Sequence, residues 1–172
     1  LIVLKGILML INSEIGQLRK VILHRPDLSI DRLTPQNCND YLFDDVLWLD
    51  KAIEEHEVFQ KILEDQGVEV FLLHDLLRET VSIPKAKKWL LDQLVTHLHH
   101  QSSFARELYD FLAHLSPETL ATYLIGGLTW GETKLQPVGF TSQTFGKDNF
   151  VLPPLPNHLF TRDTSCWIGQ GV

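Results

Sequence analysis

The chain has 172 residues, 44% of them hydrophobic and 22% charged, with a net charge of −7. That size and balance suit one globular domain with a real core and exclude long disorder. Lysine and arginine are scattered without a basic stripe, so nucleic-acid binding has no support.

Two cysteines, Cys38 and Cys166, are too few for a disulfide framework, and the expected location is the cytoplasm. The chain opens on "LIVLKGILMLI", an apolar run broken by Lys5 and Gly6. It is too short for a transmembrane helix, and no small-residue cleavage site follows it, so neither a membrane anchor nor a signal peptide is expected. The only methionine is Met9. The expectation is a partial or mis-bounded reading frame in which residues 1–8 are not native, with a buried strand at about Ile7–Ile11.

"SEIG" (13–16) reads as a turn. "LRKVILH" (18–24) alternates apolar and polar residues and then turns wholly apolar, the pattern of a strand. "RPDLSIDRLTPQNCND" reads as loop, held by Pro26 and Pro35. From Val46 to Gln66, Leu49, Ile53, Val58, Phe59, Ile62 and Leu63 recur at helical spacing, and Gly67 ends the helix. "VEVFLLH" (68–74) is a second strand, and strand–helix–strand at this spacing predicts an α/β unit.

Asp75 to Ile125 is helical almost throughout. Pro84 opens one helix, and Ser116-Pro117 reads as an N-cap with proline at the first helical position of another. Three or four helices are expected, forming a bundle beside the α/β part. "GGLTWGETKLQPVGFTSQTFGKDN" (126–149) is a long loop with one short strand at most. "FVLPPLPNHLF" leads into a closing strand or strand pair. The domains are therefore 9–74, an α/β part; 75–125, an inserted helical bundle; and 126–172, a returning loop and strands.

Several residue groups invite chemistry. "HLHH" supplies His97, His99 and His100, and His97 and His100 share a helix face. No carboxylate or cysteine stands at a confirming spacing, so a solvated face is the stronger reading and no metal is assigned. His24 and His74 each end a strand, where a structural role outweighs a site. Cys38 lies in a loop without an evident base, and Cys166 reads as a small buried hydrophobe, so neither is singled out as a nucleophile. Asp44 and Asp45 in "LFDDVLW" stand before the long helix, where capping is the simplest role.

The last eighteen residues, "LPNHLFTRDTSCWIGQGV", are harder to explain. If 157–163 is extended, Asn157, Leu159, Thr161 and Asp163 share one side and Arg162 points the other way. A carboxylate placed so needs a cation or several donors, and an incoming guanidinium would fit by two parallel hydrogen bonds. An internal ion pair is the other solution.

"SEIGQLRKVILHRPD", "RLTPQNCNDYLFDDVLWLDKA" and "LPPLPNHLFTRDTSCWIGQGV", with "YLIGG" between, resemble the N-terminal part of the arginine deiminase family from about Asn12 to Val172. The resemblance implies a partial five-bladed α/β propeller, the pentein fold, with the helical bundle inserted. It implies conversion of L-arginine and water to L-citrulline and ammonia through a cysteine thiouronium intermediate, without metal or organic cofactor. A homo-oligomer is expected when full length.

Carried over by motif, Asp163 is a guanidinium-binding carboxylate, Phe160 packs beside the substrate, and Asn157 binds its amino-acid end. Leu42 touches its aliphatic stem, and Arg162 supports the site from behind. The family's catalytic histidine, second carboxylate and nucleophilic cysteine lie further along than Val172. The expectation is an N-terminal fragment, inactive alone. The alternative is a truncated, non-catalytic domain that binds arginine or a partner.

Overall fold

A computed structural model describes residues 11, 13, 15–98, 103–133, 135, 146–166 and 168–169. It mixes helix and strand. The first strand, β1 (Lys20–Leu23), pairs in parallel with β2 (Glu69–Leu72) in the register Lys20–Glu69 to Leu23–Leu72. Parallel neighbours need a long crossover. Here α2 (Leu49–Asp65) supplies it. A Lys20–Glu69 ion pair of 2.7 Å sits across the first rung of the ladder.

The segment between β1 and α2 is more ordered than a loop. Asp27 caps a short helix, α1 (Leu28–Asp31), by accepting from Ser29 N at 2.8 Å. A 3-10 turn follows at Cys38–Tyr41. The reason is local side-chain bonding: Asp27 caps α1, and Asn37, without capping the 3-10 turn, bonds the backbone of Thr34 and Arg32 ahead of it.

Two other boundaries shift. The long helix begins at Leu49 rather than Val46: the backbone is still extended at its N-cap, Trp48, which makes no side-chain cap bond. The strand after Val68 ends at Leu72, where α3 (Leu73–Val81) starts at once, so His74 is a helical residue.

The remaining helices are α4 (Pro84–Leu98), α5 (Ser103–His114) and α6 (Pro117–Gly126). Ser116 Oγ accepts from Thr119 N at 3.1 Å, closing the first turn of α6. Lys87 donates to the carbonyls of Ala113 and Leu115 at 2.7 and 2.9 Å, placing a cation where the end of α5 leaves acceptors unpaired.

Val81, Leu91, Leu108, Leu112, Leu120 and Leu128 form one buried core with Val151 and Leu152. The last three come from β3 (Leu128–Thr129) and β4 (Phe150–Leu152), an antiparallel pair with an irregular step between its rungs.

α6 is the wall between this core and the α/β part. A Cβ on Gly126 would meet the Leu28 side chain at 2.8 Å, so only glycine lets α1 approach so closely. Gly127 has φ of 82°, and a Cβ there would meet Pro154 N at 2.7 Å. Leu155 N donates to Ile125 O at 2.8 Å and sends the C-terminal segment back toward β1. Ile11 and Gly169 form an antiparallel bridge with bonds of 2.8 and 2.7 Å. The rest of the expected first strand, 7–10, lies outside the described residues.

Candidate functional site

The site begins with the turn after α1. Asn37 Oδ1 accepts from Thr34 N at 2.7 Å, and its Nδ2 donates to Arg32 O at 3.0 Å. This stitches the chain into the 3-10 turn and delivers Leu42 at its end. Leu42 has φ of 64°, the left-handed region where glycine or asparagine is usual. Holding a bulky residue there costs on the order of 1–2 kcal/mol. Its side chain is 86% exposed, so packing does not offset that cost. Strain of this kind concentrates at ligand contacts.

The residues on either side of Leu42 anchor it. Phe43 is buried with Ile30, Leu33 and Cys38, and Tyr41, Leu49 and Leu159 pack against them. Leu159 belongs to the C-terminal segment, which therefore shares this small core. Asn157 Nδ2 donates to Tyr41 O at 3.0 Å. The Phe160 ring lies 6.1 Å from that of Phe43, within the range of favourable aromatic contact. Thr161 Oγ1 donates to Ile22 O at 2.9 Å.

The two neighbours of Leu42 thus bind the C-terminal segment, Tyr41 through Asn157 and Phe43 through Phe160, while Thr161 reaches β1. Asp163 and Arg162 follow in the next turn, both exposed.

That segment is not extended. Pro156–Leu159 is a 3-10 turn and 161–164 a further turn. Pro153, Pro154 and Pro156 have no N–H for a ladder, and Pro156 at the first helical position is pre-set for a helical turn. Phe160 N donates to Asn157 O at 3.0 Å, and Asp163 N to Phe160 O at 3.2 Å. Backbone bonds at intervals of three therefore link Asn157, Phe160 and Asp163. The alternation that grouped Asn157, Leu159, Thr161 and Asp163 does not apply.

Beneath the segment lies a histidine cluster. The His24 side chain is fully buried. Its Nε2 is 3.2 Å from Asp27 Oδ2, an ion-pair distance but out of line for a hydrogen bond, and its Nδ1 has no partner. Burial opposes ionisation of Asp27. The His24 side chain and hydrogen bonds from Ser29 outweigh it and hold the carboxyl below its ordinary range. Burial and then the His24 ring push His158 below the usual histidine value, with Asp27 opposing. His56 on α2 is lowered by burial, then by His24 and Arg25, with Glu57 opposing.

Behind this, Arg32 Nη2 donates to both carboxylate oxygens of Glu132, at 2.7 and 2.8 Å. Burial opposes ionisation of Glu132, but hydrogen bonds from Thr129 and Arg32 keep its carboxyl below the ordinary range.

The other candidates separate from the site. Cys38 is the buried cysteine and Cys166 the exposed one, the reverse of a hydrophobic role for Cys166. Cys38 fills the small core, whereas Cys166 follows a turn that carries it outward. Asp44 and Asp45 cap no helix; Asp45 Oδ1 accepts from its neighbour Val46 N at 2.7 Å, and both residues are exposed.

His74 Nε2 is 3.2 Å from Thr122 Oγ1. That hydroxyl donates to Glu118 O, so the histidine is the donor to it and joins α3 to α6. His99, His100 and the His97 side chain lie outside the described residues. Among the described residues no group of three or more His, Cys, Asp or Glu is placed to hold a metal ion. Nor is any helix there long and apolar enough to cross a membrane.

Phe43 and Thr161 were not singled out by sequence. Both are ordinary residue types, and only their partners across the fold mark them. Against known proteins, the model of a family described as arginine deiminase matches residues 39–172, well over half of the chain and including Leu42 and the whole 157–163 segment.

Proposed function

We propose, from the premise that this chain belongs to the arginine deiminase family, that it forms one wall of an arginine pocket. The enzyme hydrolyses L-arginine to L-citrulline and ammonia. The single observation that carries the reading is the docking of Asn157 and Phe160 on Tyr41 and Phe43, the neighbours of the strained, exposed Leu42, beside the turn that bears Asp163.

In this proposal the Asp163 carboxylate takes the guanidinium by parallel charge-assisted bonds, which fix its plane. Phe160 covers the guanidinium and Leu42 the aliphatic stem. A carbonyl only accepts, so the bond to Tyr41 O fixes which end of the Asn157 amide donates. Its Oδ1 is left to accept from the substrate's α-ammonium. Arg162 supports the turn.

A thiolate attacks the guanidinium carbon and ammonia leaves once protonated by a histidine. Water then cleaves the thiouronium, giving the citrulline carbonyl and regenerating the thiol. We assign that thiolate, histidine and a second carboxylate to chain beyond these residues, because Cys38 is committed to the core and Cys166 does not match the nucleophile's motif.

The pentein propeller is the proposed frame, with residues 9–74 and 126–172 in its first units and 75–125 as an insert outside it. Cytoplasmic, homo-oligomeric, cofactor-free work on free arginine completes the reading.

The test is steady-state arginine turnover by the complete enzyme. Asp163→Asn is expected to lower kcat/KM by about a hundredfold or more, the scale of ~3 kcal/mol lost when one partner of a desolvated charge pair is removed. Kinetics within threefold of the parent would remove Asp163 from the site.

A further inference from the structure

The side of β1 away from β2 carries a contact that the reaction scheme leaves unused. Glu69 N donates to Arg19 O at 2.9 Å, so the Arg19 carbonyl faces β2. Backbone groups alternate sides along a strand, so the Ile22 carbonyl, three residues on, faces away from β2. The donor it meets is the Thr161 hydroxyl, at 2.9 Å and partly buried. A side chain thus takes the place of a neighbouring strand there.

Thr161 stands between Phe160 and Asp163, and the Asp163 amide closes the same turn onto Phe160 O. Thr164 Oγ1 closes back onto Thr161 O at 3.4 Å. Asn157 and Phe160 are each held by their own contacts to Tyr41 and Phe43. The Thr161 hydroxyl, two residues before Asp163, ties the turn to β1 rather than to the Leu42 loop.

Resting on the arginine-site reading, we infer that Thr161 is a positioning residue: its bond to the Ile22 carbonyl sets where the Asp163 carboxylate meets the guanidinium. The hydroxyl touches no substrate and acts through Asp163. Removing it strands a partly buried carbonyl and lets the turn lift from the strand edge. The displacement is small, but a guanidinium misplaced by about 1 Å from its attacking sulfur loses on the order of a hundredfold in rate.

The experiment measures kcat and KM for arginine in the complete enzyme, with Thr161→Val, Thr161→Ser, Asp163→Asn and the Thr161→Val/Asp163→Asn double variant. Valine keeps the shape and removes the hydroxyl; serine keeps the hydroxyl. Thr161→Val is expected to lose ten- to a hundredfold in kcat/KM, mostly in kcat. Thr161→Ser is expected to stay within about threefold of the parent, and Thr161→Val is expected to cost less than about threefold once Asp163 is already Asn.

Equal losses in Ser and Val, or a Val effect undiminished in the Asp163→Asn background, overturn the assignment. If Thr161→Val does not fold, Thr161→Ser decides: a tenfold loss, or failure to fold with the hydroxyl kept, overturns it. Wild-type kinetics in Asp163→Asn bring down the arginine-site reading and this one with it. A damaged Asp163→Asn beside an intact Thr161→Val overturns the Thr161 role alone.

Discussion

The helical region and the β1–α2–β2 unit are built from similar proportions of apolar residues and use them differently. In α3–α6, Leu91, Leu108, Leu112 and Leu120 are at most 1% exposed, and β3 and β4 close the same core. In α2 no residue is buried, and Val58, Phe59 and Ile62 are 62%, 50% and 56% exposed. Helices three to six cover one another, α4 against α5 and the sequence-distant α3 against α6. α2 packs against β2 and, among the described residues, leaves Val58, Phe59 and Ile62 on its outer face half or more exposed. Amphipathic spacing therefore does not by itself say that a helix is fully packed; it says which residues await a neighbour.

The sharpest break in this comparison is a cavity in the bundle. Leu108→Ala is expected to destabilise the protein by about 2–5 kcal/mol, because the site is fully buried and rigidly surrounded. Urea titration followed by circular dichroism at 222 nm measures it, and a loss below about 1 kcal/mol would show the bundle core to be loose.

Acid is expected to act on the other region. The folded-state values of His56 and His158 lie below the ordinary 6.5. The unfolded chain therefore binds protons first, and stability present above about pH 6.5 is lost as pH falls through the lowered folded values. Asp27 extends the loss below its ordinary 3.8, since its folded value is also depressed. Amide exchange in β1 and α2 should accelerate between pH 7 and 5 relative to α5 after correction for intrinsic rates. His56→Leu should flatten that difference; equal acceleration in α5 would contradict it.

The smallest effect is expected on the outer face of α2. Ile62→Ala should change stability by no more than about 0.5 kcal/mol, as for exposed positions generally. A loss above about 2 kcal/mol would show that this face is covered in solution.

Legibility followed the range of the interactions. The periodicity of Leu49, Ile53 and Leu63 placed α2 to within three residues at its start, and Ser116-Pro117 marked the start of α6, because caps and i, i+4 contacts are local. The short α1 and the turn at Cys38 read as loop in sequence, since α1 is held by the single Asp27 cap and the turn follows the local bonds of Asn37 to Thr34 and Arg32, which composition does not announce. The proposed site residues come from a long ordered motif, and the extended geometry expected for 157–163 is not the one observed. Treating 157–163 as a strand imposed a period of two on a segment whose prolines impose helical turns.

The sequence by itself determined where the helices run and that an acidic, aromatic motif closes the chain. Those features rest on energies exchanged between residues a few places apart. Only the tertiary structure decided that Leu42 is strained and exposed, that His24 is buried without aligned partners, and that Cys38 rather than Cys166 is inside. It also decided that the motif docks by Asn157 on Tyr41 and Thr161 on Ile22, contacts spanning 116 and 139 residues. The acceptors there are main-chain carbonyls, which every residue type carries alike, so the sequence gives no mark of which one is used.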